Sequence, residues 1–145
     1  MYAIRNKSNG LYLGTTQTEE GYYQSWNLSE SSLIKFQSEK EAFDFTIFHG
    51  YDFLQDVDFE ITNKEEQIVY MNVKQSHPES IILFRVIDQY KAIMEDTHKI
   101  TNSLGVQTVN GYILFNHNML DQYLTRLVQA GFKVAVVDPQ LVYKY

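Results

Sequence analysis

The 145-residue sequence contains no cysteine, only two prolines and no apolar run as long as a membrane-spanning helix. The absence of cysteine excludes disulfides, thiolate zinc sites and a cysteine nucleophile. A spanning helix needs about 20 consecutive apolar residues, and the polar N-terminal stretch MYAIRNKSNG has no apolar core of a secretory signal. We therefore expect a cytoplasmic protein with no membrane contact.

The aromatic content is high, with eleven tyrosines and nine phenylalanines. The length and these large apolar rings predict one ordinary domain, or two very small ones that share a core. The net charge of −6 comes from residues 1–66, which carry 5 basic and 12 acidic side chains, whereas residues 67–145 carry 7 and 6. This acidity argues against a general nucleic-acid binder. The acidic half is either a solvated surface or a surface for a protein partner.

Residues 1–66 are predicted to form a small ββα unit. Its parts are a hairpin with its turn at residues 8–10, an irregular segment with at most one strand at 14–31, and a helix from the capping box at 38–41 to His49-Gly50. Such a segment is small for a core of its own. We therefore expect it to add strands to the sheet of the second half, or to pack against that sheet as a subdomain.

Residues 67–145 are predicted to alternate helices and strands. Asn63 caps a helix over residues 64–76, and the apolar run Ile81–Val86 is typical of a strand covered on both faces. A second helix is expected to begin at Asp88 and to end near Gly105.

A hairpin is expected next, with its turn at Asn110-Gly111. A helix from Leu120 to Gly131 follows, with His117 in its N-cap segment, and then a buried strand, Lys133–Val137, which Asp138-Pro139 stops. The order of elements predicts an α+β fold, in which a mixed β-sheet with packed helices follows the ββα unit.

Three blocks of the second half carry a family resemblance. They are Lys74–Val86, with His77-Pro78 before the strand residues Leu83-Phe84-Arg85; Asp88, Tyr90, Glu95 and Asp96; and Leu120–Ala135, with Gly131 between helix and strand. In this order they resemble the N-terminal mismatch-recognition domain of the MutS DNA-repair family, over about residues 67–138. The resemblance implies a MutS domain I-like fold and a DNA-binding ancestry.

The residues that read a mismatch in that family are replaced. There, the Phe of a Phe-x-Glu motif stacks on the mispaired base and the Glu hydrogen-bonds it; by position these become Gln89 and Lys91, and the Gly before the Asp becomes Ile87. No P-loop is present, so neither ATPase activity nor autonomous mismatch repair is expected. Under the resemblance, the candidate nucleic-acid-binding residues are Arg85, Gln89, Tyr90 and Lys91.

No catalytic, metal or cofactor site is expected. The four histidines lack the spacing of a metal-binding helix. Asp56, Asp58 and Glu60 alternate like a calcium loop but lack its Gly and terminal Glu, which favours a solvated edge. Glu95 and Asp96 are expected on a helix surface.

Tyr22, Tyr23 and Trp26 lie in a polar stretch with several glutamates and no basic residue before Lys35. Three roles are open for these aromatic residues: a local buried cluster, stacking on single-stranded bases, or anchoring of a protein partner. Two functions thus stay open for this non-enzymatic module: DNA or other nucleic-acid binding without the mismatch-reading pair, and a protein-interaction or structural role without nucleic acid. The sequence leaves the oligomeric state open.

Overall fold

The computed structural model describes residues 1–48, 54, 56–138 and 141–145, and the chain forms two compact units. Unit 1 is Met1–Glu66 and unit 2 is Gln67–Tyr145. The predicted helix end at His49-Gly50 and the predicted stop at Pro139 lie outside the described residues. None of the described helices is long and apolar enough to cross a membrane.

The described residues of unit 1 include a four-stranded antiparallel sheet and the helix α1. The elements are β1 (Tyr2–Asn6), β2 (Tyr12–Thr18), β3 (Gly21–Asn27), a 3-10 turn (Glu30–Ser32), α1 (Glu39–Phe48) and β4 (Phe59–Asn63). The strand order is β3-β2-β1-β4. The prediction that unit 1 adds strands to the other sheet is wrong, since its strands form a sheet of their own with a core around Ile4, Leu13 and Ile61.

The segment predicted as irregular at 14–31 contains the one strand allowed for it, β3, and also the second part of β2. Strand β2 continues to Thr18, and β3 pairs with it in unbroken register from Tyr12↔Asn27 to Thr18↔Gly21. Backbone pairing holds this ladder, whereas its Thr, Gln and Ser side chains give no apolar alternation by which a sequence pattern detects strands.

The α1 capping box is confirmed. The Ser38 hydroxyl accepts a hydrogen bond from the Glu41 N–H at 3.0 Å, and the Glu41 carboxylate accepts one from the Gln37 N–H at 3.0 Å. The carboxylate therefore reaches one residue further back than the motif predicts.

Glu60 is not part of a solvated acidic edge. Its side chain is fully buried on β4, directly across from Arg5 on β1, with 3.9 Å between Arg5 Nη1 and Glu60 Oε2. The acid therefore belongs to a buried ion pair of unit 1, which corrects the prediction for this residue.

Unit 2 contains a five-stranded mixed sheet with helices. Its elements, with the helix that enters it from Lys64, are α2 (Lys64–Ser76), β5 (Ser80–Val86), β6 (Gln89–Ala92), α3 (Asp96–Leu104), β7 (Ile113–Asn116), a 3-10 turn (His117–Met119), α4 (Leu120–Gln129), β8 (Lys133–Asp138) and β9 (Leu141–Lys144). The order is β7-β6-β5-β8-β9, with β5 and β8 parallel and the other pairs antiparallel. The α+β class is as predicted, and the Asn63 cap on α2 is confirmed by its bond from the Glu65 N–H at 3.0 Å.

Both faces of the unit 2 sheet are covered by helices. Residues Ile81 and Leu83 of β5 pack in one cluster with residues of α3 and α4, and Ile82 and Phe84 pack in a second cluster with Tyr70 of α2. These are called the α3/α4 face and the α2 face below. The arrangement confirms that β5 is buried on both sides.

The start predicted at Asp88 for the second helix is wrong, whereas its end near Gly105 is confirmed. The chain turns back at Ile87-Asp88, forms β6, and begins α3 only at Asp96. The turn lacks the Gly or Asn that usually indicates one, and β6 is too short to show its alternation. By contrast, the Asn110-Gly111 turn is confirmed, with φ of 51° and 87°, although only Val109 pairs on its first side.

Candidate nucleic-acid interface

All four predicted nucleic-acid-binding residues lie on one hairpin, formed by β5 and β6. The paired residues are Phe84↔Lys91, Arg85↔Tyr90 and Val86↔Gln89, so only Ile87 and Asp88 connect the strands. We call residues 84–91 the β5–β6 hairpin.

The hairpin does not present these four side chains on one surface. Residues across an antiparallel pair point to the same face, and successive residues alternate. Tyr90 packs in the cluster of the α3/α4 face, so Arg85 points there too, whereas Phe84 packs on the α2 face, which is therefore the face of Gln89 and Lys91.

Arg85 and Tyr90 brace the hairpin. The Tyr90 ring is buried and stacks on Phe115 at 5.7 Å between centroids. Arg85 Nη1 donates to the Tyr90 hydroxyl at 3.0 Å, and Arg85 Nε donates to the Ile87 carbonyl at 2.8 Å. The guanidinium thus ties the turn to β6.

Lys91 and Gln89 lie on the more accessible side of the hairpin. Both side chains are half-buried, and the neighbouring Val86 is 39% exposed. The Lys91 ammonium lies 4.2 Å from the centre of the Tyr112 ring, a cation–π contact that keeps the charge on this face.

The turn is held by His117, the residue that follows β7. The Asp88 carbonyl accepts two hydrogen bonds from His117, one from its backbone N–H and one from its ring Nδ1, each at 2.9 Å. Because a carbonyl only accepts, Nδ1 carries a proton. His117 opens a 3-10 turn whose N-cap is Asn116, which accepts from the Asn118 N–H at 3.1 Å. The cap predicted for the helix therefore belongs to this turn, since the N-cap of α4 is Met119 and makes no side-chain cap bond.

Ile87 is highly exposed at the turn of the hairpin and was not predicted as a site residue. Its side chain is 88% exposed, and its φ of 57° is unusual for a β-branched residue. The only sequence signal was a β-branched residue at the position where the chain must turn. No signal pointed to His117, which lies 29 residues away from its acceptor Asp88.

Asp96 is buried and bonds the backbone of β5 next to the hairpin, rather than lying on a helix surface as predicted. It is fully buried, and its carboxylate accepts from the Ile82 N–H and from Lys74 Nζ, both at 2.9 Å. Glu95, next to it, is exposed as predicted. Among the described residues, no cluster of three histidine or acidic side chains is placed to hold a metal ion.

The three aromatic residues predicted as partner contacts all lie on β3 of unit 1. Tyr22 is 71% exposed and Tyr23 is 49% exposed, and they point to opposite faces of the strand. The Tyr23 hydroxyl donates to Glu20 at 3.2 Å. Trp26 is half-buried and packs against the core of unit 1.

A mixed five-stranded sheet, helices on both faces and a braced hairpin define unit 2 as an α+β domain of the kind implied by the resemblance. A family model described as MutS domain I matches residues 66–141, just over half of the chain. The chain belongs to the MutS domain I family.

Curated relatives support the same assignment over the same region. The chain is 40% identical over 78 residues to the DNA mismatch repair protein MutS of Porphyromonas gingivalis (strain ATCC BAA-308 / W83). It is 42% identical over 78 residues to the protein of that name from Parabacteroides distasonis. Each match covers 48% of this chain and 9% of the relative, so the chain spans about a tenth of the length of these relatives.

Proposed function

We propose that this chain is a non-enzymatic DNA-binding module that contacts a duplex through the β5–β6 hairpin without reading mismatches. The observation that carries the proposal is the match to DNA mismatch repair proteins over residues 66–141, the region that contains this hairpin. The matched part is domain I alone, which holds none of the ATPase machinery of the family.

In this proposal Lys91 is the principal contact. Its side chain is half-buried and its ammonium is held above the Tyr112 ring, so a phosphate would meet a charge that is already positioned. A lysine that neutralises a phosphate releases condensed counterions, and binding then weakens as salt rises. Gln89, on the same face, offers an amide that both donates and accepts.

Arg85 and Tyr90 support the hairpin in the same proposal. Two Arg85 donors are used within the hairpin, at 2.8 and 3.0 Å, and the Tyr90 ring is buried. We therefore assign direct contact with DNA to Lys91 and Gln89, and a positioning role to Arg85 and Tyr90.

The loss of mismatch reading rests on two residues. A glutamine at position 89 gives no ring to stack on a displaced base, and a lysine at position 91 gives no acceptor for its edge. The proposed module therefore binds matched and mismatched duplexes with the same affinity.

Fluorescence anisotropy with labelled single-stranded, matched and mismatched DNA, at low and physiological salt, tests the proposal. Lys91→Glu is expected to weaken duplex binding about tenfold or more at low salt, because it turns a phosphate contact into a repulsion. Lys133→Glu is the matched control: Lys133 pairs with Ser80 at the opposite end of β5, four residues or about 13 Å from the first residue of the hairpin at the rise of a strand. Flat anisotropy at high micromolar protein and low salt contradicts the proposal.

A second candidate function is protein interaction through unit 1. It is favoured by Tyr22 and Tyr23, which are exposed in the unit that carries 5 basic and 12 acidic residues. Exposed tyrosines anchor protein partners well, and the charge suits a basic partner. Under this candidate, the Tyr22→Ser/Tyr23→Ser variant loses binding to basic peptides, and the Lys91→Glu variant does not.

A further inference from the structure

The outer half of the β2–β3 hairpin in unit 1 is exposed on both of its faces. Successive strand residues point to opposite faces, yet residues 16–20, 22 and 23 are all exposed. We call residues 16–23 the β2–β3 finger. Its backbone ladder is supported by polar contacts, such as the one at 2.6 Å between the Thr16 and Ser25 hydroxyls. A two-stranded hairpin is only marginally stable by itself, so the side chains of the finger stabilise unit 1 little and are available for contacts outside it.

Two tyrosine rings and two carboxylates are concentrated on this finger. Tyr22 is 71% exposed on one face, Tyr23 is 49% exposed on the other, and Glu19-Glu20 forms the turn. Tyrosine offers a large, rigid contact area with little loss of side-chain entropy, which makes it frequent in protein-binding surfaces. The sequence has no lysine or arginine between Lys7 and Lys35. The charge of the finger therefore repels nucleic acid and anionic lipid, and it attracts a positively charged protein segment.

The Tyr23 ring and the Glu20 carboxylate are held side by side. The Tyr23 hydroxyl donates to Glu20 Oε2 at 3.2 Å, and the Thr18 hydroxyl accepts from the Glu20 N–H at 3.2 Å, which fixes the backbone of the turn. The bond from Tyr23 leaves acceptor sites on both carboxylate oxygens. A guanidinium is planar, stacks on an aromatic face and donates to a carboxylate through two parallel N–H groups. An ammonium has neither the flat face nor the fork, so this pair suits arginine better than lysine.

We infer that the Tyr23–Glu20 pair binds an arginine side chain of a protein partner. The guanidinium lies on the Tyr23 ring, and two of its N–H groups donate to the Glu20 carboxylate. The inference deepens the second candidate function, protein interaction through unit 1, on which it rests. It is independent of DNA contact by the β5–β6 hairpin, because the finger belongs to unit 1 and the hairpin to unit 2.

Fluorescence anisotropy with two labelled peptides tests the inference. One peptide carries three arginines separated by glycine and serine, and the other carries lysine at the same positions. At low salt we expect the wild-type chain to bind the arginine peptide about fivefold more tightly than the lysine peptide, because only the guanidinium stacks and forks. Glu20→Gln should weaken binding of the arginine peptide roughly tenfold and abolish the preference.

Two matched controls separate this pair from a general acidic surface. Glu19→Gln removes the same charge from the same turn and should weaken both peptides by about twofold or less, with the preference kept. Tyr23→Ser should abolish the preference for arginine, whereas Tyr22→Ser, which removes a ring from the opposite face, should keep it.

The outcomes distinguish the inference from the functions proposed above. Equal affinity of the wild-type chain for the two peptides, or equal losses in the Glu19 and Glu20 variants, would show that the arginine site is wrong while the second candidate function stands. If the wild-type chain binds neither peptide at high micromolar concentration, both are wrong, and duplex binding through Lys91 is unaffected by that result.

Discussion

The carboxylate of Asp96 accepts a hydrogen bond at 2.9 Å from the backbone N–H of Ile82, fourteen residues earlier in the chain. In its register with β5, β6 reaches only from Gln89 opposite Val86 to Lys91 opposite Phe84. The side chain of Asp96 thus accepts a hydrogen bond from a β5 residue that β6 does not pair with. It also binds Lys74. A single acid from the first turn of α3 therefore links α2, β5 and α3.

Removing this acid should destabilise unit 2. Asp96→Ala leaves the buried Ile82 N–H without its acceptor and Lys74 without its counter-ion, and we expect a loss of about 3 kcal/mol. Urea unfolding followed by circular dichroism measures it. Asp121→Ala, an exposed acid in the first turn of α4, is the control and should cost less than about 1 kcal/mol. Equal losses for the two variants would contradict the assigned role of Asp96.

The buried Arg5–Glu60 pair of unit 1 gives two predicted changes in stability with opposite signs. Glu60→Leu alone leaves the Arg5 charge buried opposite an apolar side chain and should cost about 3–5 kcal/mol. Adding Arg5→Met should recover most of the loss, because two apolar side chains need no desolvation of charge. Trp26 is the chain's single tryptophan and packs in unit 1, so its fluorescence reports this unfolding. A double variant less stable than the single one would contradict the prediction.

We also propose that residues 1–66 and 67–145 unfold as separate units, because each has its own sheet and core. Asp96→Ala should then lower the urea midpoint of unit 2 amide signals in NMR spectra, without moving the Trp26 fluorescence transition. Glu60→Leu should do the reverse. A common shift of both transitions by either variant would show that the two units unfold together.

The brace of the hairpin is testable at Arg85. Arg85→Lys keeps the charge but loses the Nε donor to Ile87 and the Nη1 donor to Tyr90, and we expect a loss of about 1–2 kcal/mol. Amide hydrogen exchange at Gln89 and Lys91 should become faster. Arg126→Lys is the control, since Arg126 Nη2 donates to the Ser103 carbonyl of α3 at a longer 3.4 Å. Unchanged amide hydrogen exchange in the Arg85 variant would contradict the bracing role of Arg85.

The apolar runs and caps of this sequence predict much of the fold. Ile81–Val86, the Asn63 cap and the Asn110-Gly111 turn each have a local signal that the structure confirms. The exceptions are elements whose stabilising contacts are not local. Strand β3 is a polar strand held by its pairing with β2, and β6 follows a turn in which Ile87 takes a conformation that its residue type disfavours.

The four residues of the candidate site were predicted, but the face of the sheet to which each side chain points was not. Once residues 89–92 are a strand instead of a helix, alternation separates Arg85 and Tyr90 from Gln89 and Lys91. No local residue pattern predicts that Asp96 is buried, because its partners Ile82 and Lys74 lie 14 and 22 residues away. Such polar contacts depend on the tertiary fold, which periodicity does not describe.

Contact between the β5–β6 hairpin and duplex DNA is tested most directly by amide chemical-shift mapping. A ¹⁵N-labelled chain is titrated with a short matched duplex at low salt, with a mismatched duplex in parallel. We predict that the largest shifts fall on residues 86–91 and on His117, with the same pattern for both duplexes. Shifts confined to unit 1, or no shifts at saturating DNA, would contradict this contact.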